Sequence, residues 1–352
     1  MGVRGPERTR SGFRRHRRRL RSSRRGVVAV VGTLLALLVF FALFGVFLTQ
    51  YLPLWMEENE SQLSTQAQTS LATLKSGIDD QYLFGNIPSY SVPFTLNSQS
   101  VPLLAQPTIA TMSYISGCPG GFYPTNGTPR EISACEFQRL SFTTGAGASG
   151  SQNHPFSQTL PTDYLELSLP DRYYPPVTYF LEMDGITQAQ SNSHQSMLAP
   201  PLFNVSKTGT SVSVLASLVY FLGASTSFAG VGSKSVTSSV LSLSNASSTS
   251  RFLTPTGTPR TFNVTLTVGV HEVCAWYNYL YNMTLAALGP SSSTTWMLTG
   301  AQSSGALTLP PSYTVCDNSV YVVNDLTLTV FGVSSAYAYI SQNVLTFNAG
   351  GL

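Results

Sequence analysis

The chain has 352 residues, 43% hydrophobic and only 10% charged, and its net charge of +3 conceals a sharp asymmetry. Residues 1–25 hold 11 Arg against one Glu, leaving 8 basic and 15 acidic residues beyond them, a net charge of −7 there. Such an arginine cluster attracts phosphates, but its place just before a long apolar run assigns it to membrane orientation, and nucleic acid is excluded as the expected partner.

Residues 27–48, VVAVVGTLLALLVFFALFGVFL, are 22 residues without a charge. As a helix they rise about 33 Å against a hydrocarbon core of about 30 Å, so a single pass through a lipid bilayer is expected. The arginines lie on one side of this segment and Glu57, Glu58 and Glu60 on the other. The positive-inside rule then makes 1–26 a cytoplasmic tail and puts the C-terminal part outside the cell. A cleaved secretory signal would have a shorter apolar region ending in an Ala-x-Ala type site, and the distal end shows none.

Beyond the span, Leu63, Ala67, Leu71, Leu74, Ile78 and Tyr82 follow helical spacing. An amphipathic helix over 55–82 is expected to continue the membrane helix, forming a stalk over 49–84. Pro53 removes a backbone donor between the two stretches and predicts a kink, with Tyr51 and Trp55 suited to the membrane interface.

After Gly85-Asn86-Ile87-Pro88 the pattern changes to short apolar runs separated by turn residues: SYSVPFTL, SVSVLASLVYFL, TFNVTLTVGV and SVYVVNDLTLTVFGV. These read as strands. Phe262, Val264, Leu266, Val268 and Val270 alternate with Asn263, Thr265, Thr267 and Gly269, one face for a core and one for water. A helix is expected over 271–288, stopped by Gly289-Pro290, with loops over 143–152 and 291–305. The predicted fold is mainly β: an N-terminal transmembrane and stalk α-helix, then a β-sandwich-like extracellular part over 85–352, in one or two units, with one short additional helix.

Four cysteines, Cys118, Cys135, Cys274 and Cys316, lie on the side predicted to be extracellular, where thiols oxidise. Of three connectivities, proximity in sequence favours Cys118 with Cys135 and Cys274 with Cys316. His271-Glu272-Val273-Cys274 begins like a zincin helix, yet Ala275 stands where a second histidine is needed, and no metal site is expected. His154 and His194 sit in polar sequence with no nucleophile motif nearby. Glu182 with Asp184, and Asp163, Glu166 and Asp171, fit no calcium loop and read as solvated surface. No catalytic residue and no cofactor is assigned. Six sequons, at Asn59, Asn126, Asn204, Asn245, Asn263 and Asn282, suit an external domain.

Arg24-Arg25-Gly26-Val27-Val28, followed by AVVGTLLALLVFFALFGVFLTQYLPLW, resembles the class III signal segment of archaeal type IV pilin-like proteins. The resemblance implies that a prepilin-type peptidase cuts between Gly26 and Val27, leaving the apolar helix for membrane retention or for assembly with other pilin-like subunits. Val31 departs from the pattern, since many such pilins carry Glu at the fifth mature position. The segment PVTYFLEMDGITQAQSNSHQSMLAPPLFNVSKTGTSVSVLASLVYF, with TFNVTLTV and AWYNYL, is similar to uncharacterised ectodomains of archaeal pilin-like surface proteins. That likeness covers most of 27–350 and implies architecture, with no catalytic residues to carry over.

The expected function is accordingly that of a cell-surface pilin-like or membrane-anchored envelope protein, structural or adhesive, and not an enzyme. In a filament, Gly32 and Gly45 would permit close approach of helices; as an anchor the same helix stays in lipid. The alternative is a surface protein that binds a small molecule or glycan through Trp276, Tyr277, Tyr279 and Trp296, and a third reading is an extracellular hydrolase.

Overall fold

The computed structural model describes residues 13–84, 89–100, 105–116, 137–144, 156–161, 163–190, 195–249, 261–270, 272–292, 294–302, 305–308 and 323–349. The chain divides into two compact units, Met1–Glu57 and Glu58–Leu352.

The first unit holds helix α1 (Phe13–Val46), a π-helical turn (Phe47–Tyr51) and the first residues of α2 (Leu52–Phe84). The interruption expected near Pro53 has the form of that π turn: the Leu52 N–H donates to the Phe47 carbonyl, five residues back. Pro53 has no N–H, and its ring crowds the carbonyl four residues earlier, which the wider π turn accommodates without breaking the helix. Large apolar side chains from Val30 to Val46 stand in the open, Leu38 at 68% exposure. The helical run Ala29–Phe84 contains a window long and apolar enough to cross a membrane, none of it buried.

The second unit is mainly β. Its strands are β1 (Ser89–Thr95), β2 (Thr111–Ile115), β3 (Phe137–Thr144), β4 (Phe156–Pro161), β5 (Tyr164–Leu169), β6 (Val177–Glu182), β7 (Gly185–Gln190) and β8 (Gln195–Ala199). They continue with β9 (Phe203–Thr208), β10 (Ser211–Leu222), β11 (Thr226–Ala229), β12 (Ser233–Thr249), β13 (Phe262–Gly269), helix α3 (Val273–Leu288), β14 (Trp296–Gln302), β15 (Gly305–Thr308) and β16 (Val323–Ala349). Among the described residues they form a ten-stranded sheet around β16 and a six-stranded sheet in the order β11-β2-β5-β6-β7-β8. The 27 residues of β16 pair with β13 and β14 in their first half and with β12 and, in parallel, β10 in their second.

Two hydrophobic cores lie along this long strand. One gathers α3, β9, β13, β14 and the first part of β16, and it contains the alternating face Phe262, Val264, Leu266, Val268 and Val270. The other joins α2 to the six-stranded sheet, β1 and the last part of β16, and it contains Leu63, Ala67, Leu71, Leu74, Ile78 and Tyr82, each at most 6% exposed. Burying each such Leu or Ile contributes about 1.5–3 kcal/mol. The helix read as a stalk over 49–84 is therefore, from Glu58 onward, packed by one face into the core of the β-rich unit and part of that unit. Gly77 makes this docking possible, because a Cβ there would lie 2.1 Å from Cδ1 of Tyr90 on β1.

The loop expected over 291–305 is corrected: β14 runs through its middle, with Trp296 and Leu298 buried in the core and the strand paired to β16. Its Ser, Thr and Gly neighbours conceal the alternation that drives the pairing. Helix α3 ends where expected. Gly289 closes the last turn by donating its N–H to the Leu285 carbonyl at 2.9 Å, and its φ of +79° with ψ −166° is open in practice to glycine alone.

Candidate functional site

Five polar side chains are buried along α2, Asn59, Glu60, Ser64, Lys75 and Gln81, and Glu60, Gln81 and Lys75 each meet several partners. Glu60, fully buried, accepts the backbone N–H groups of Tyr173 (2.6 Å), Tyr174 (2.7 Å) and Arg172 (3.2 Å), and also the Thr108 hydroxyl. Successive N–H groups aimed at one carboxylate make an anion-binding concavity, filled here from within the chain. Gln81 accepts the Ser238 hydroxyl (2.9 Å) and the Asn343 amide (3.0 Å) and donates to the Ser238 carbonyl (3.0 Å), satisfying a polar layer between α2, β12 and β16.

Lys75 is the third. Its Nζ lies 2.7 Å from Asp79 Oδ2, one helical turn on, and 3.4 Å from Asp184 Oδ2. Asp184 occupies the two-residue turn between β6 and β7, where Met183 and Asp184 take φ +47° and +65° and Glu182 pairs with Gly185. Consecutive positive φ values define the type I′ hairpin that matches strand twist. Hairpin tips usually face water, yet Asp184 is 0% exposed and Met183 3%. Burial holds the Asp184 carboxyl well above the usual carboxylate range; Lys75 opposes this and Asp79 adds to it. Burial, then the Asp184 and Asp79 carboxylates, likewise raise the nearby Tyr82 phenol. The cluster thus brings an amine, a partly exposed carboxylate and a buried carboxyl together in the core.

The acidic residues read as solvated surface are mostly buried: Asp163, Asp171, Glu182 and Asp184 are at most 6% exposed. Each is placed by a specific feature. Glu182 accepts the Trp276 indole N–H at 2.8 Å, and Asp163 accepts the Tyr114 hydroxyl at 2.5 Å. Asp171, beside Glu60, has neither carboxylate oxygen hydrogen-bonded, and burial, then the Glu60 charge, pushes its pKa up to about 7. Among the described residues no group of three or more His, Cys, Asp or Glu is placed to hold a metal ion.

Of the aromatic residues considered for ligand binding, Trp276, Tyr277 and Trp296 are core residues. Tyr279 is half-buried, with its hydroxyl donating to the Phe203 carbonyl at 2.7 Å and its pKa pushed up to about 12 by burial. It lines a groove of about 420 Å³ between α3 and β8, with Gln195, Met197, Asn278, Asn282 and Met283.

Gly26 and Val27, the expected processing point, lie within the helical run of α1. Asn204, Asn245 and Asn282 are exposed and Asn263 is half-exposed on β13. Asn59 is 7% exposed and its amide donates to the Gln99 carbonyl at 3.4 Å, which opposes its use as a glycan acceptor. Cys274 is disulfide-bonded, and its N–H donates to Gln195 Oε1 at 3.0 Å. Cys118, Cys135, Cys316, Asn126, His154, His194 and His271 lie outside the described residues.

The Lys75 cluster escaped sequence reading, although its signal was present. Lys75 lies between Leu74 and Ile78 and one turn after Leu71, so the helical period that buries those residues also buries the lysine. No protein-family model, no curated protein and no solved structure matches the chain.

Proposed function

We propose that the chain is a cell-surface protein, pilin-like or membrane-anchored, with a structural or adhesive role. Its Arg-rich end faces the cytoplasm, its apolar helix lies in the bilayer, and the β-rich unit is displayed outside. The observation that carries this reading is the unburied apolar window of the helix, directly after an arginine cluster and directly before a unit with cores of its own. An apolar surface of that length in water would aggregate; in lipid or in a helical bundle it is covered.

The filament form of the proposal draws on Gly32 and Gly45, around which a Cβ would meet nothing within 4 Å, leaving room for another helix to approach. The mature N-terminus and the assembly state test the two forms. Sequencing that begins at Val27, with filaments seen by electron microscopy of sheared surface material, supports a processed subunit. An intact Arg-rich tail on a protein found only in membranes supports the permanent anchor. Recovery of the protein from the soluble fraction alone would overturn both.

The groove beside Tyr279 favours a second reading, capture of a small molecule or glycan. It requires glycan binding that disappears when Met283→Trp fills the groove.

A further inference from the structure

The contact between Lys75 and Asp184 joins two elements far apart in sequence, the helix α2 and the β6–β7 turn, at a point shielded from water. Ion pairs buried this deeply are poor stabilisers, because the desolvation of both charges offsets their attraction. This one has further features that a simple ion pair does not need. The turn that presents Asp184 places two non-glycine residues at positive φ and buries its own tip. Asp184 Oδ1 has no hydrogen-bond partner, while Oδ2 accepts from Lys75 and Asp79 lies beside the same carboxyl. A second carboxylate, Asp79, touches the same Nζ at 2.7 Å, and its side chain is 29% exposed where that of Asp184 is 0% exposed.

We infer that Lys75 and Asp184 are the reactants of an intramolecular amide cross-link, Nζ to Cγ, with Asp79 as the proton carrier. The Lys75 ammonium gives a proton to the Asp79 carboxylate, and the freed amine attacks Cγ of the protonated Asp184 carboxyl, forming the C–N bond. Asp79 then returns its proton to the Asp184 hydroxyl, the C–O bond breaks, and water leaves. The nitrogen's surplus proton passes to Asp79 and from its exposed side to solvent. One ammonium, one carboxylate and one carboxyl become one amide, one water, the Asp79 carboxylate again and one proton given to solvent, with no oxidant or cofactor required. Burial favours this outcome, because two groups that are costly to hold charged become a neutral amide. The raised affinity of Asp184 for a proton keeps it in the form that an amine can attack.

The consequence is mechanical. The bond would tie α2 covalently to the six-stranded sheet, so a pull on the helix would be resisted by a covalent bond as well as by the packing of Leu71, Leu74 and Ile78. The inference does not depend on the membrane reading, since it concerns one compact unit.

Peptide mapping of the full chain, purified folded and then denatured and digested, tests it. The expected product is a branched peptide joining the Lys75 and Asp184 segments, lighter than their sum by one water and identified by fragmentation. Lys75→Arg, which keeps the positive charge but offers no attacking amine, should abolish it, and Asp79→Asn should slow its appearance severalfold. Recovery of unmodified linear peptides containing Lys75 and Asp184 from the folded wild-type protein would overturn the inference. That readout needs no variant to fold. A cross-link that forms undiminished in Asp79→Asn would overturn the proton-carrier role.

Discussion

The Glu60 carboxylate accepts the backbone N–H of Tyr173 at 2.6 Å, plugging α2 into the bend that connects β5 to β6. Asp171 begins that bend, buried beside the same carboxylate.

This proximity has a pH signature. With a folded pKa of about 7 against an ordinary value of 3.8, Asp171 holds its proton more tightly folded than unfolded. Its contribution to stability is fully present below the unfolded value and is lost as pH rises through about 7, at a limiting slope of about 1.4 kcal/mol per pH unit. The melting temperature should therefore fall from about pH 5 to about pH 8. Asp171→Asn should flatten the slope. Thermal melts of the full chain in detergent across that range decide the matter; an equal slope in the variant would contradict the assignment.

Gly77 and Tyr90 make a second coupled pair. Gly77→Ala should destabilise the β-rich unit by about 1–3 kcal/mol, since the added methyl meets the Tyr90 ring. In a Tyr90→Ala background the same change should be neutral or stabilising by up to about 1 kcal/mol, from the better helix propensity of alanine. Denaturant midpoints of the four proteins in the cycle measure the coupling, and equal effects in both backgrounds would refute it.

Under the proposed external placement, glycans should follow exposure. Glycopeptide mass spectrometry is expected to find Asn204 and Asn282 occupied and Asn59 bare, its amide being committed to Gln99. A glycan on Asn59 in folded protein would require α2 to dock differently.

What could be read from sequence was whatever followed a single period. The faces of α2 and β13 obey helical and two-residue spacing, and α3 ends at a glycine–proline stop, so these elements were visible before the structure. Strand β12 was not, because Ser238, which contacts Gln81 and Asn343 inside the fold, is as polar as the residues that face outward. Only the tertiary partner makes an inward serine favourable, and no local pattern carries that information. The buried carboxylates failed for a related reason. Glu182 adjoins and Asp184 occupies a hairpin tip, normally a solvated place, and they become interior only because Trp276 and Lys75 reach them from distant parts of the chain.

Protease added to intact cells reads out the orientation of the chain in a membrane. Antibodies or mass spectrometry would follow the Arg-rich segment and the β-rich unit separately. Digestion of the β-rich unit, with the arginine cluster either spared or already removed by processing before Val27, is the predicted result. Full protection of the β-rich unit in intact cells, with digestion only after lysis, would put that unit inside the cell and overturn the proposed orientation.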